Sequence, residues 1–138
     1  MRMTFLLSLV SLVALSTASV QAEETVIVHG TSAITGLSED EFKGYYLGKK
    51  ASWPDGSKVI VVVLKDGTSH DKLMSKLGKS SSQFTTGWKK LVFTGKGAMP
   101  EQVGNEDELV AYVAKTPGSI GFVDTSKTKE GVKVVPVK

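Results

Sequence analysis

The stretch VIVVVLKDGTSHDKL, residues 59–73, joins an apolar run, a tight turn and the start of a helix. Val59 to Leu64 are six consecutive apolar residues, without the alternation of a strand that has one face in water. Such a short, β-branched run is typical of a strand covered by helices on both faces of its sheet. The Asp66-Gly67 turn then leads into a helix predicted over 69–77. The stretch therefore predicts a layered α/β domain with a helix start at the end of a buried strand.

The rest of the chain alternates strands and helices in the same way. Apolar β-branched runs predict further strands at 26–28, 120–123 and 132–137. Helical spacing predicts helices over 37–48 and 80–93 and a fourth that follows Asn105; the expected caps are Ser38 with Glu41, Ser80 with Gln83, and Asn105 with Glu108. Residues 94–104 are rich in glycine and are predicted to form a long loop. Strands that alternate with helices favour a three-layer α/β domain.

The first 22 residues have the pattern of a cleavable secretory signal. Arg2 precedes an apolar segment from Phe5 to Leu15, and Val20-Gln21-Ala22 offers small residues for cleavage. The apolar segment is too short to span a bilayer. Residues 23–138 are then expected to form a single exported domain. The chain has no cysteine, which disfavours a lipid-anchored form and suits a bacterial periplasm better than a disulfide-stapled extracellular scaffold.

Charge and motif content exclude several classes of function. Arg2 is the only arginine, and the lysines are interspersed with acids, so nucleic-acid binding is not expected. His29 and His70 have no second ligand at metal-binding spacing and are expected to be surface or loop histidines. No nucleophile elbow, P-loop or dinucleotide motif is present. The sequence therefore predicts a protein that is not an enzyme and that holds no metal or cofactor.

The helix start at Gly67-Thr68-Ser69 has two interpretations. Free backbone N–H groups, the helix dipole and two hydroxyls would suit an anion. Thr68 followed by Asp71 is, however, a capping-box pattern, and the Asp71 carboxylate would then take the position that an anion needs. The residues alone leave both interpretations open.

Four segments, taken in order, resemble the periplasmic phosphate-binding proteins of phosphate ABC transporters. They are YLGKKASWPDG (46–56), KDGTSHD (65–71), TGKGAMP (94–100) and TPGSIGFVD (116–124). The resemblance covers roughly residues 25–124, and TPGSIGFVD is its most specific stretch. It implies one lobe of a type II periplasmic binding protein, with a mainly parallel sheet and helices on both faces. It departs from the family at residue 64, where the family's arginine is replaced by Leu64, and at Ser69 and His70.

The resemblance implies a phosphate or similar oxyanion as ligand. Gly67, Thr68 and Ser69 would hold it through hydroxyls and N–H groups, with Lys65 and Lys96 as supporting charges. An ABC transporter permease, or a second lobe gained by self-association, would be the partner. The first hypothesis is thus an exported solute-binding protein that binds phosphate weakly. The alternative is a periplasmic accessory or interaction module that keeps the lobe but has lost the ligand.

Overall fold

The structure is a computed structural model that describes residues 23–138. The predicted signal peptide lies outside the described residues. The elements in chain order are β1 (Glu24–His29), α1 (Glu39–Tyr46), β2 (Ile60–Leu64), α2 (Thr68–Leu77), α3 (Ser81–Phe93), β3 (Glu101–Val103), α4 (Glu106–Lys115), β4 (Ser119–Asp124), a short 3₁₀ turn (Thr125–Lys127) and β5 (Val132–Val135). All the strands and helices predicted between residues 26 and 137 are therefore present.

The five strands form one sheet in the order β3-β2-β4-β1-β5. β2 runs parallel to both β3 and β4, whereas β1 runs antiparallel to both β4 and β5. Four strands therefore point the same way and β1 alone is reversed, so the sheet is mixed, with two parallel and two antiparallel pairings, where a mainly parallel sheet was predicted.

Each face of the sheet packs on its own set of helices. β2 shows this clearly, because Val61 and Val63 lie in the core that α1, α2 and α3 cover, while Val62 and Leu64 lie in the core beneath α4. Alternate side chains of a strand point to opposite faces, so a continuous apolar run is needed where both faces are covered. The three-layer architecture and the doubly buried strand at 59–64 are thus confirmed.

Residues 94–104 are not entirely a loop. Their last part forms β3, which pairs with β2 through Val62 opposite Glu101 and Leu64 opposite Val103. The prediction of a loop was wrong here because this three-residue strand carries exposed polar side chains and shows no apolar run. Its strand geometry comes from pairing with the edge of β2 and not from its own sequence.

Two of the segments that carried the resemblance meet where β2 and β4 begin. The indole N–H of Trp53 donates to the carbonyl oxygen of Gly118 at 2.9 Å, and the N–H of Ile60 donates to the same oxygen at 3.0 Å. Gly118 has φ +84°, and a Cβ at this position would stand 2.7 Å from the carbonyl oxygen of Lys58. Only glycine fits both conditions, so the Pro-Gly-Ser sequence of TPGSIGFVD is accounted for by this junction.

Candidate anion site and the cleft around it

The start of α2 follows directly from the end of β2. Gly67 is the N-cap residue with φ 102°, and the first intrahelical bond runs from the N–H of Asp71 to the carbonyl oxygen of Gly67 at 3.0 Å. Thr68 is therefore already inside the helix, and no side chain of the N-cap residue caps this end. The Thr68–Asp71 capping box, one of the two interpretations left open, is therefore not formed, because a capping hydroxyl must come from the extended residue before the first turn.

The other three helices begin in a different way. Ser38 and Ser80 form the predicted capping boxes with Glu41 and Gln83. The Asn105 side chain accepts from the N–H of Glu108 at 2.9 Å. Among the α-helices of residues 23–138, α2 alone thus has no capping bond from the side chain of its N-cap residue.

A carboxylate from α4 reaches the start of α2 instead. The Ser69 hydroxyl donates to Oε1 of Glu106, and the N–H of Asp124 donates to the same oxygen at 2.9 Å. Ser69 is buried, with 5% of its surface exposed. One carboxylate oxygen therefore links the start of α2, the start of α4 and the end of β4, at the place where an external anion was expected.

The surroundings of this carboxylate are also negatively charged. A cleft of about 400 Å³ lies here, and we call it the acidic cleft; its carboxylates come from Glu24, Asp66, Glu106 and Asp124. Hydrogen bonds from Ser126 lower the pKa of Asp124, so this carboxyl is ionised at neutral pH. A phosphate or similar oxyanion that enters the cleft would therefore be repelled by several negative charges.

The predicted ligand residues are brought together only in part. Gly67, Thr68 and Ser69 line the acidic cleft. Leu64, the residue at the family's arginine position, also lines it and is buried. Lys65 is exposed and is not among the residues that line the cleft; its N–H donates to the carbonyl oxygen of Val103 at 3.2 Å.

Lys96 lies elsewhere. It borders a pocket of about 180 Å³ at the other end of the sheet, where β2 begins. The sequence placed it near Gly67 only through the order of the matched segments. That placement was wrong, because the loop from Thr94 precedes β3 and folds beside Trp88, whereas Gly67 follows the opposite end of β2.

His70 is a residue whose position the sequence did not predict. The ring is buried, with 8% of the residue exposed, and its Nε2 lies 2.6 Å from the Ser81 hydroxyl. Its Nδ1 has no hydrogen-bond partner among residues 23–138. The expectation of a surface or loop histidine was wrong for His70, which joins the first turn of α2 to the first turn of α3. His29 ends β1, and its Nδ1 lies 2.7 Å from the Thr31 hydroxyl.

A larger cavity of about 910 Å³ lies at the end of the sheet opposite the acidic cleft, where β2 begins. We call it the far cavity; segment 31–37, the turn at 53–57 and Pro117–Ser119 form its walls. No motif marked it in the sequence, because its walls come from three separate turns that converge only in the fold. Neither end of the sheet offers a metal centre: no group of three or more His, Asp or Glu side chains in residues 23–138 is arranged to hold an ion.

Comparisons with solved structures agree on the fold. A candidate phosphate ABC transporter substrate-binding protein with bound phosphate, from Clostridium perfringens, superposes with a TM-score of 0.69 at 18% identity over 84% of this chain. An ABC-type phosphate transport receptor from Vibrio cholerae gives 0.67 at 14% identity over 84%. PstS from Borrelia burgdorferi gives 0.63 at 16% identity over 85%. No protein-family model matches the chain, and no curated sequence matches it significantly.

This chain therefore has the fold of one lobe of a phosphate substrate-binding protein. It spans less than half of these structures, between 45% and 47% of their lengths. No helix in residues 23–138 is long and apolar enough to cross a membrane.

Proposed function

We propose that this chain is an exported accessory or interaction module that keeps the phosphate-receptor lobe and has lost tight ligand binding. The observation that carries the proposal is the contact of Glu106 with Ser69 and Asp124. The carboxylate uses the hydroxyl donor that an oxyanion would need. A protein group that occupies a site from within competes with any external ligand at very high effective concentration.

Charge supports the same proposal. A receptor for phosphate places cations or many neutral donors around it, whereas this cleft presents four carboxylates and has Leu64 at the family's arginine position. At an exposed helix start the dipole favours an anion by only about 0.3–1 kcal/mol, and neighbouring carboxylates oppose that attraction. Lys72 pairs with Glu24 of the cleft at 2.9 Å. After the hydrogen bonds of Ser126, the charges of Lys72 and Lys127 also help to lower the pKa of Asp124.

A second candidate function is weak oxyanion binding. Two observations favour it: the amide groups at the start of α2 receive no cap from their own N-cap side chain, and Gly67 has open space beside its Cα. In this case Gly67, Thr68 and Ser69 bind phosphate after Glu106 moves aside, with Lys65 as a supporting charge. The protein would act in the periplasm beside a transporter permease, and two copies facing each other would enclose the anion.

Titration calorimetry with phosphate at low ionic strength separates the two functions. For the chain that begins at Glu23 we expect no heat and no thermal shift at millimolar phosphate. Saturable binding at that concentration, lost in Ser69→Ala, would establish the weak receptor instead. Light scattering with and without phosphate completes the test, since a phosphate-induced dimer would also favour the receptor.

The matched pair Glu106→Ala and Glu106→Gln tests the internal carboxylate itself. Glu106→Ala frees the Ser69 hydroxyl and removes one negative charge, so weak phosphate binding should appear in this variant. Glu106→Gln removes the charge but keeps an oxygen that accepts from Ser69, and it should bind phosphate less well than Glu106→Ala. If neither variant binds phosphate, the loss of the ligand does not depend on Glu106.

A further inference from the structure

The net positive charge of the chain is concentrated in one continuous segment, although the lysines as a whole are interspersed with acids. Residues 72–100 contain six lysines and neither aspartate nor glutamate, whereas the remainder of 23–138 contains ten lysines and all 14 acids. The segment comprises most of α2, all of α3 and the following loop. Four of the acids, Glu101 and Glu106–Glu108, belong to β3 and α4, and α4 covers the opposite face of the sheet from α3. The acidic first turn of α4 therefore lies on the opposite face of the sheet from α3, whereas Glu39, Asp40 and Glu41 of α1 share the face of α3.

Large apolar side chains stand exposed within this basic segment. Phe93, the last residue of α3, has 93% of its surface exposed, and Val92 and Met99 have 40% and 44%. Lys89, Lys90 and Lys96 are close in sequence and exposed. We call these six residues the Phe93 patch.

The patch lies at the C-terminal end of α3, which hydrogen bonds hold in place. The Trp88 indole N–H donates to the carbonyl oxygen of Tyr46 at 2.9 Å, and Trp88 is buried. The chain after α3 folds back, with the N–H of Lys96 donating to the carbonyl oxygen of Leu91 at 2.8 Å. A Cβ on Gly97 would lie 3.6 Å from the Trp88 ring. These bonds fix the C-terminal end of α3, so the exposure of Phe93 is a property of the fold and not of a frayed end.

The lysines of the patch are available to an external anion. In residues 23–138, the ion pairs of this basic segment are Lys72 with Glu24 at 2.9 Å and Lys76 with Glu39 at 3.0 Å. Lys89, Lys90 and Lys96 take part in none of the ion pairs found there. An anionic surface can therefore engage all three without breaking an intramolecular ion pair.

We propose that the Phe93 patch is a docking surface for an anionic lipid membrane. Charge complementarity favours this partner, because a lysine cluster without acids is attracted to anionic headgroups. Lysine stems can lie along the interface while an aromatic side chain enters it. Protein interfaces are instead depleted of lysine and rely on Trp, Tyr and Arg, and this patch contains none of those three. With α3 toward the lipid, the acidic first turn of α4 faces away from it.

Vesicle sedimentation of the chain that begins at Glu23 tests the proposal. This chain contains every residue of both cores and lacks the apolar segment before it, which would itself bind lipid. We expect binding to vesicles of phosphatidylcholine with 30% phosphatidylglycerol at low salt. Pure phosphatidylcholine should bind much less, and raised salt should reverse the binding. Loss of one lysine near the surface should weaken binding about fivefold.

Two variants and their matched controls locate the contact. Phe93→Ser should weaken vesicle binding about tenfold, because the burial of a phenyl ring in the lipid is lost. The separate double variant Lys89→Gln with Lys90→Gln should weaken it more than Phe93→Ser does. Two controls alter similar residues outside the patch: Val134→Ser, at an exposed valine of β5, and the double variant Lys127→Gln with Lys129→Gln. Each control should leave binding within about twofold of the parent chain. Circular dichroism confirms that each variant is folded.

Several outcomes would overturn the proposal. No binding to anionic vesicles at low salt would leave an acidic protein as the better occupant. Equal losses in the patch and control variants would indicate non-specific attraction. Concentration-dependent self-association that Phe93→Ser abolishes would make a second copy of this chain the occupant. None of these results depends on phosphate, so the test is independent of the proposed function.

Discussion

The two ends of the sheet differ in what they keep of the phosphate-receptor lobe. At the far cavity, Trp53 and Gly118 keep a bonded junction between two segments of the resemblance. At the acidic cleft the backbone of the turn remains, but Leu64 and Glu106 have replaced the expected cation and anion. A junction that sets the geometry of the strands affects the stability of the whole domain, whereas ligand groups can change with little effect on the fold. The scaffold and the ligand chemistry can therefore change separately.

The strongest test of this comparison is Gly118→Ala at the far cavity. A Cβ would stand 2.7 Å from a backbone carbonyl at φ +84°, so we expect the variant to lose about 2–4 kcal/mol of unfolding free energy. Gly56→Ala is the matched control, since Gly56 has φ +89° with open space around it and should lose only about 1 kcal/mol. Denaturant unfolding measures both. Equal losses in the two variants would contradict a special role for the junction.

The second test concerns the internal carboxylate of the acidic cleft. Glu106→Ala leaves the Ser69 hydroxyl and the Asp124 N–H without their acceptor and should lose about 1–2 kcal/mol of unfolding free energy. Glu106→Gln keeps an accepting oxygen and should stay within about 0.5 kcal/mol of the parent chain. Urea denaturation distinguishes them. If Glu106→Ala proved as stable as Glu106→Gln, the contact would contribute little to the fold.

A third test compares the helix starts at the two ends. Ser38→Ala removes the capping hydroxyl of α1 beside the far cavity and should lower the unfolding free energy by about 1 kcal/mol. Thr68→Ala should change it by less than about 0.3 kcal/mol, because Thr68 lies inside α2 and makes no capping bond. Thermal unfolding under matched conditions is sufficient. A large loss of unfolding free energy in Thr68→Ala would instead favour the capping-box interpretation of this helix start.

The smallest expected effect is in the pH dependence of stability. The backbone and hydroxyl of Ser38 lower the pKa of Glu41 below 4.5, and hydrogen bonds from Ser126 lower that of Asp124 below 3.8. A lowered pKa means that the stabilising contribution is complete above the ordinary value and disappears as pH falls through the folded value. Unfolding free energy should therefore decline from about pH 4.5 downward. Glu41→Gln and Asp124→Asn should each flatten that decline, and an unchanged slope would contradict these pKa shifts.

Local sequence was sufficient for most of the fold. Helix α1 could be predicted because its capping box and its stop at Gly48 lie within the helix or directly beside it. β2 could be predicted because a run of six apolar, mostly β-branched residues is typical of a strand buried on both faces. β3 could not be predicted, since its strand geometry comes from pairing with β2 and not from its own side chains.

The candidate site was less accessible to sequence reasoning for a similar reason. The turn at Gly67-Thr68-Ser69 is local and could be recognised. The group that meets it, Glu106, lies 37 residues from Ser69 in sequence. In the sequence Glu106 is one acid of a helix's first turn, where carboxylates are common because they complement the dipole. Its second role follows only from the crossover that brings α4 beside the end of β2.

The position of the reversed strand has a consequence for folding. β1 begins at residue 24, yet it pairs on one side with β4 and on the other with β5, as in Glu24 opposite Asp124 and His29 opposite Val132. These pairings are separated by about 100 residues, and contacts of such long range form slowly. Until β4 and β5 have been synthesised, the reversed strand has neither of its neighbours. The sheet can therefore be completed only once the part of the chain that forms β4 and β5 is available.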